Sequence, residues 1–440
     1  MRVIVWGINY APELTGIAPF NTGLCEYLRE RGHQIEMVTT FPYYPYWKKI
    51  SGDKGYLFRT DEIDGVWIHR CWHYVPAQVT TFRRIWHELS FGLTSFVRIL
   101  ALARADVYVI VSPPLILGPL ASFVCWIKQR PYVFHVQDLQ PDAAVGLGMI
   151  KVGWFNALLY RVEAWSYRHA IVVSGISAGM LKAFDRKGVP KRKQLFFPNW
   201  IQLHSRNTYI IRSDTERVEL GFRFREKFKI PEEVFLATYS GNLGRKQSLG
   251  TLVEAAALLF RTTACSQSLD MGLGDAADRA SARPILILII GDGVIRSQLE
   301  DRIAELQLLN VRMLPILVDR DYHGMLAASD VGLILQAAGT GQYFFPSKLL
   351  SLLSARVPIV SGADFDSELA KAIEDGKFGV NVPSENPGAL AAALANLADN
   401  PEKLREMGQN TGWVDKFPGD KVLAEFERKL VEVTLGPEPP

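Results

Sequence analysis

Four cysteines in 440 residues, Cys25, Cys71, Cys125 and Cys265, are too few and too far apart for a disulfide scaffold. There is no CxxC pair, and no Cys/His spacing suits zinc. Such usage fits a reducing cytosolic compartment. Net charge is also nearly absent. A formal +3 with 22% charged residues gives no warrant for a nucleic-acid partner. The chain has no Walker GxxxxGK(S/T) run, no GxGxxG fingerprint and no GxSxG elbow, which disfavours P-loop, NAD and elbow-serine chemistry. No secretory leader is legible, because the apolar run from Val3 to Ile8 is too short and Arg2 alone precedes it.

One charge-free stretch, Val107 to Ile127, is long enough to raise the question of a membrane span. Pro113, Pro114 and Pro119 interrupt it. The part from Leu115 to Ile127 extends only about 20 Å as a helix, short of a ~30 Å hydrocarbon core. It reads as a buried strand, a turn and a core helix.

What is present is alternation. RVIVWGI, IEMVTT, VYVIVS, YVFHVQ, IVVSG and LFFPN are short apolar runs of the kind buried on both faces of a parallel sheet. Helical patterns lie between them, the first opening near Ile17 and stopped by Gly32. From His204 to Lys229 the chain turns polar without a strand pattern, and a domain boundary is placed there. A second alternating series runs from VFLATYSG to GVNVP. Thr262 to Arg283, rich in small residues, reads as a surface loop. The predicted organisation is α/β, with two Rossmann-like doubly wound domains facing across a cleft. The first domain covers residues 1–205 and the second 206–418. A terminal helix, 419–440, either crosses back to the first domain or finishes the second.

Open parallel sheets bind ligands beyond the carboxyl ends of their strands. Asn9 to Gly16 runs from the first strand into a helix, and Gly16 sets bare backbone at an N-terminus suited to an anion. An ordinary tight turn would look the same. SGNLGRKQ, Ser240 to Gln247, follows the first strand of the second half. Gly241 and Gly244 allow close backbone approach, and Arg245 and Lys246 set two cations where a phosphate would sit. The plain alternative is a solvated basic turn. GTGQYFFPSK, Gly339 to Lys348, carries two glycines and three aromatics before a helix that starts near Pro346, enough to wrap a sugar or to make a buried aromatic cluster. HVQDLQPD offers His135, Asp138 and Asp142 at a strand end, either as a titratable site or as a core histidine beside surface carboxylates.

Taken in order, NYAPELTGIAPFNTGLCEYLRERGH, SPPLILG, HVQDLQPD, SGNLGRKQ, GDG and PSKLLSLLSARVPIV resemble the retaining family 4 glycosyltransferases with the GT-B fold. Within that family they are most similar to the WcaI-like subgroup of capsule, colanic-acid and O-antigen synthesis. The resemblance spans roughly residues 1 to 435. It implies that Gly16, Arg245, Lys246, Ser347 and Lys348 bind the donor phosphate. Gly241, Asn242, Gly291, Gly341, Gln342, Tyr343 and Ser351 would meet the donor sugar or nucleoside. His135 and Asp138 would lie beside the transferred sugar. Two positions depart from the family: Asn242 stands where an Arg is usual, and Ser351 stands where a Glu commonly holds the ribose hydroxyls.

The expected function is transfer of a hexosyl unit from a nucleotide diphosphate sugar to a lipid-linked or oligosaccharide acceptor, with retention of configuration. No cofactor and no metal are expected, since no Asp/Glu/His cluster stands out and the cations can neutralise the leaving group. Two other readings fit, a sugar-nucleotide epimerase of the same architecture and a non-catalytic partner in polysaccharide assembly. The expected location is cytoplasmic, peripheral at the inner face of the membrane. Phe82, Ile85, Leu89, Leu93, Phe96, Val97 and Leu100 recur at helical spacing among Arg83, Arg84, Arg98 and Arg104. Trp86 and Phe91 add bulk, and the mixture suits an interfacial helix on anionic lipid.

Overall fold

Val3, Ile4, Val5 and Trp6 have no exposed surface, as expected for a strand in the middle of a covered parallel sheet. The computed structural model describes all residues except 14, 50, 79, 147–152, 201–212, 270–282, 318, 342–345 and 436–440. The chain divides into two units. One is built from Met1–Ser205 and Phe417–Pro440, the other from Arg206–Gly341 and Pro346–Lys416.

The first unit begins β1 (Arg2–Trp6), α1 (Ala18–Glu30), β2 (Gln34–Thr40), β3 (Phe58–Ile63), β4 (Val66–Cys71), α2 (Thr81–Ala101) and β5 (Val107–Ser112). It continues α3 (Leu117–Lys128), β6 (Tyr132–Val136), α4 (Gln140–Gly146), α5 (Gly153–His169), β7 (Val172–Gly175), α6 (Ala178–Arg186) and β8 (Gln194–Phe196). The strand order is β3-β4-β2-β1-β5-β6-β7-β8. Every pairing is parallel except β3 with β4. The β3–β4 hairpin is absent from the alternation read off the sequence. Its turn, Asp64-Gly65, has both residues at positive φ, +50° and +74°, the backbone that a two-residue hairpin turn requires.

The segment from Val107 to Ile127 folds as β5 and α3, and no helix among the described residues is long and apolar enough to cross a membrane. Phe91 is fully buried beneath α2, which corrects its placement on that helix's surface.

The second unit is α7 (Asp214–Lys227), β9 (Phe235–Ser240), α8 (Gly250–Leu269), β10 (Ile285–Ile290), α9 (Arg296–Glu305), β11 (Val311–Leu314), α10 (Asp319–Ala328) and β12 (Val331–Leu335). It ends α11 (Lys348–Ser354), β13 (Ile359–Gly362), α12 (Glu368–Gly376), β14 (Gly379–Val382), α13 (Pro387–Ala398) and α14 (Pro401–Gln409). Its sheet is wholly parallel, in the order β11-β10-β9-β12-β13-β14.

Two expectations are corrected here. The polar stretch before the second series contains α7, whose Ser213 hydroxyl accepts from Glu216 N at 3.1 Å, an N-cap inside a charged sequence. The supposed loop from Thr262 is helical as far as Leu269, and residues 270–282 lie outside the described ones.

The last helix, α15 (Gly419–Leu435), packs into the first unit. Val422, Leu423, Phe426 and Leu430 join a core with Leu28, Phe197 and Trp200. The Phe426 ring stacks on Phe197, centroids 4.0 Å apart. Glu427 accepts from the Tyr27 hydroxyl and Arg31 Nε at 3.2 Å and pairs with His33 Nε2 at 2.9 Å. Each fully buried large apolar side chain contributes about 1.5–3 kcal/mol, so α15 is an integral part of that core.

Candidate active site

In the second unit the loops after β9 and β10 are pressed together. Gly241 N donates to Ile290 O and Leu243 N to Asp292 O, both at 2.9 Å. A Cβ at Gly291 would fall 1.9 Å from the Gly241 carbonyl oxygen, so the GDG turn tolerates no side chain there.

Past Gly241 the chain makes one tight turn, Arg245–Gln247. Arg245 points out and Lys246 is half-buried. The Lys246 carbonyl accepts from Ala337 N at 2.9 Å, which ties the turn to the end of β12. Lys348, at the start of α11, lays its ammonium over the Tyr239 ring, 3.8 Å from the centroid. A Cβ at Gly241 would stand 3.0 Å from that ammonium, and glycine leaves the space open. The Tyr239 hydroxyl donates to Asn242 O at 2.8 Å, while the Asn242 side chain stays on an exposed residue.

Desolvation, helped by the charge of Lys246, pulls the Lys348 pKa down to about 7. No carboxylate forms an ion pair with Lys348 among the described residues. Two lysines set near bare glycine backbone suit a bound anion.

The other expected residues of this half are placed as follows. Ser347 precedes α11, and its side chain caps nothing. Ser351, on the next turn, lies close enough to the Tyr322 hydroxyl to act on its proton. Gly341 is buried, and a Cβ there would sit 2.5 Å from Ser367 Cβ. Gln342 and Tyr343 lie outside the described residues. Sequence reasoning missed Tyr239, Tyr322 and the Ser248 hydroxyl that donates to Glu385 at 3.1 Å.

The first unit's strand ends are wired differently. Glu13 is 6% exposed and accepts from Asn9 Nδ2 at 2.7 Å and from Tyr43 N and Tyr44 N at 2.8 Å. Burial pushes its carboxyl up, against the pull of those donors. Arg70, 2% exposed, bonds Asp61, the Ala11 carbonyl at 2.8 Å and the Thr40 carbonyl at 3.2 Å. Together they clamp the loop that carries Gly16. Gly16 is exposed at φ +68°, and the α1 N-terminus behind it has no side-chain cap.

His135 lies within the first unit's sheet, on β6. It is 2% exposed, and both ring nitrogens are taken. Gln137 Nε2 donates to its Nε2 at 2.9 Å, which leaves its Nδ1–H to donate to Ser174 Oγ at 3.0 Å. Burial lowers its pKa to about 3. The same Gln137 amide also donates to Asn199 Oδ1 at 3.1 Å. Asp138 is half-buried, close enough to Tyr44 and Arg84 to act on both electrostatically. Asp142 is held by Lys187 together with Glu163, a buried ion cluster remote in role from Asp138.

Comparison with known proteins places this arrangement. A family model described as a glycosyl transferase 4-like domain matches residues 15–200, and one described as glycosyl transferases group 1 matches 222–412. WcaI of Escherichia coli (strain K12), named as a glycosyl transferase of colanic acid biosynthesis, is 29% identical over 435 residues, covering 97% of this chain and 98% of its own. Sucrose-phosphate synthase from Thermosynechococcus elongatus shares the fold at a TM-score of 0.71 and 15% identity, over 99% of this chain and 100% of that one. Anabaena HepE, crystallised in complex with UDP and glucose, does so at 0.68 and 13% identity, over 98% of this chain and 99% of that one.

Proposed function

Because the chain belongs to the family 4 glycosyltransferases of the GT-B fold, in their WcaI-like subgroup, we propose that it moves a hexosyl unit from a nucleotide diphosphate sugar to a lipid-linked or oligosaccharide acceptor in surface-polysaccharide synthesis. The observation that carries this reading is the pairing of Lys246 with a desolvated Lys348 beside the bare backbone of Gly241. The names of WcaI and of the UDP complex of HepE point the same way.

In the reaction the acceptor hydroxyl oxygen bonds to the anomeric carbon. The bond from that carbon to the diphosphate oxygen breaks, and its electron pair leaves with the nucleoside diphosphate. The hydroxyl proton passes to a phosphate oxygen of the departing group, and the anomeric configuration is retained. Negative charge grows on the leaving group in the transition state, and fixed cations stabilise it there more than in the ground state. Lys246 and Lys348 serve that role, with Arg245 at the rim and Ser347 beside them. Gly241, Asn242 and Ser351 with Tyr322 surround the sugar and nucleoside. The first unit takes the acceptor, with His135 holding Gln137 and Asn199 in place. The enzyme works at the cytoplasmic side, where nucleotide sugars are made.

Incubation with labelled UDP-glucose and GDP-mannose, with and without a lipid-linked saccharide extract, tests the reading. Label should move to the lipid fraction only with acceptor present. Conversion of the nucleotide sugar without acceptor would identify an epimerase, and silence in every arm would leave a non-catalytic partner.

A further inference from the structure

The turn that carries Lys246 is held from two sides, and both holds come from later strands of the sheet. On one side the Lys246 carbonyl accepts from Ala337 N at 2.9 Å. On the other, the Ser248 hydroxyl donates to Glu385 at 3.1 Å. Ala337 follows β12 and Glu385 follows β14, so segments far apart in sequence meet over one loop.

The hold at Ala337 is itself secured. The Ala337 carbonyl accepts from Thr340 N at 3.2 Å and from Thr340 Oγ1 at 2.6 Å, and Thr340 has no exposed surface. This closes a four-residue turn with Gly339 in third place at φ +75°, the position where such a turn favours glycine. The Gly339 amide takes no part in that turn. Asp364, after β13, occupies it: its carboxylate accepts from Gly339 N at 2.7 Å and from the Ser384 hydroxyl. The Asp364 carbonyl is fixed in turn by Ser367 N at 3.0 Å. Ser384 and Glu385 are neighbours in sequence, so the two holds end on one loop. The bonds form a closed ring, from Lys246 through Ala337, Gly339, Asp364 and the Ser384-Glu385 loop back to Ser248.

Backbone conformation shows that the ring bears a load. Ser248 and Glu385, the two ends of one hydrogen bond, both have positive φ, +45° and +55°. Side chains of L residues adopt that backbone only at a cost, and it persists where surrounding bonds over-determine it. Asp364 turns its carboxylate to an amide and a hydroxyl, so its part is one of shape. An amide side chain of the same shape can make both bonds.

We infer that Asp364 and Glu385 are positioning residues, whose ring fixes the backbone of the Arg245–Gln247 turn and so aims the Lys246 ammonium before a ligand binds. A cation aimed in advance needs no reorganisation at the moment of reaction. The inference rests on the reading of Lys246 as a cation for the donor's diphosphate.

Hydrogen exchange and calorimetric titration of the full chain test it. In Asp364→Ala, peptides spanning residues 240–249 should exchange about tenfold faster. UDP or GDP should bind about fivefold more weakly, and kcat should fall about tenfold, because a misaimed cation costs most in the transition state. Asp364→Asn should restore exchange, affinity and turnover to within about twofold, since its Oδ1 can accept from Gly339 N and its Nδ2 can donate to the Ser384 hydroxyl. In a Lys246→Ala background, Asp364→Ala should change affinity by less than about twofold. Unchanged exchange in Asp364→Ala would overturn the inference. So would Asn as impaired as Ala, which would give the role to charge, and so would additive losses in the Lys246→Ala background, which would place the effect elsewhere. Should Asp364→Ala fail to fold, Glu385→Ala, on an exposed residue, should give the same changes at about threefold, and no change there would overturn the inference. Exchange needs no nucleotide, so a wild type that binds neither UDP nor GDP would count against the transfer reading, while exchange still decides on the ring.

Discussion

At the end of β1 a carboxylate, Glu13, is surrounded by three donors of its own unit. At the end of β9 two ammonium groups, Lys246 and Lys348, share a corner in which Lys348 holds its proton only loosely. The folds are alike and the strand ends are equivalent in topology, yet charge is used in opposite ways. In the first unit, Glu13, Arg70 and His135 are satisfied internally and hold loops in shape. In the second, glycine backbone and two half-buried lysines stand beyond the strand ends, the place we propose for a diphosphate. The first arrangement is closed on itself; the second is the one we propose a ligand to complete.

The sharpest test of this contrast is Lys348→Met. With the fold intact, kcat/KM should fall about a hundred- to a thousandfold, the scale of a lost transition-state cation, and calorimetry should show nucleoside diphosphate affinity down by tenfold or more. Unchanged affinity would remove the phosphate from this corner.

Next comes Glu13→Ala in the first unit. Three buried donors lose their acceptor, at a cost of about 2–4 kcal/mol in stability. Melting should drop while nucleotide affinity stays within about twofold; a selective loss of affinity instead would break the contrast.

His135→Ala should destabilise by about 1–3 kcal/mol through the cavity and the orphaned Gln137 and Ser174 groups. A normal melting temperature with collapsed turnover would give the histidine a direct part in chemistry.

A smaller effect is the pH dependence of the second unit. Above about 7 the empty protein's Lys348 is deprotonated, so a bound diphosphate must recapture a proton. Affinity should then fall by up to about tenfold per pH unit, and the Lys348→Met variant should lose that slope. For stability the sign is reversed. The folded pKa lies below the unfolded value of about 10.4, so the unfolded chain binds more protons between the two. From this group the unliganded protein gains stability as pH rises through that window.

Arg245→Ala, on an exposed residue, should change affinity by about threefold at most. An effect equal to that of Lys246→Ala would show that both side chains turn toward the phosphate.

Much of this was legible before any coordinates. β1, β5, β6 and β10 are uninterrupted apolar runs, and such runs announce buried parallel strands. β3 and β4 were not seen because FRTDEI and VWIHRC mix charge into their alternation, although Asp64-Gly65 was a hairpin signal in plain view. α7 was hidden by its own polarity, since only Leu220, Gly221 and Phe224 are buried along it. In the site, the residue types of SGNLGRKQ and PSK were readable, and so was the likelihood of a basic phosphate loop from their order. What the order of residues does not carry is pairing across a distance. Tyr239 beneath Lys348, Tyr322 on Ser351 and Ser174 on His135 join positions that only the sheet brings together. His135 looked like an open base because its neighbours in sequence are acids, whereas its neighbours in space are an amide and a hydroxyl.

α15 fixes an order of events during synthesis. A ribosome finishes the whole of Arg206–Lys416 before it makes the first residue of the helix that completes the first unit. Until then Phe197, Trp200 and Leu28 have no cover from Phe426 and Leu430. The portion translated first is therefore the last to close, and its open flank is exposed to chaperones and proteases for the full time needed to build the other half. A premature stop just before Phe417 would spare every residue of the second unit and leave the first without its final layer.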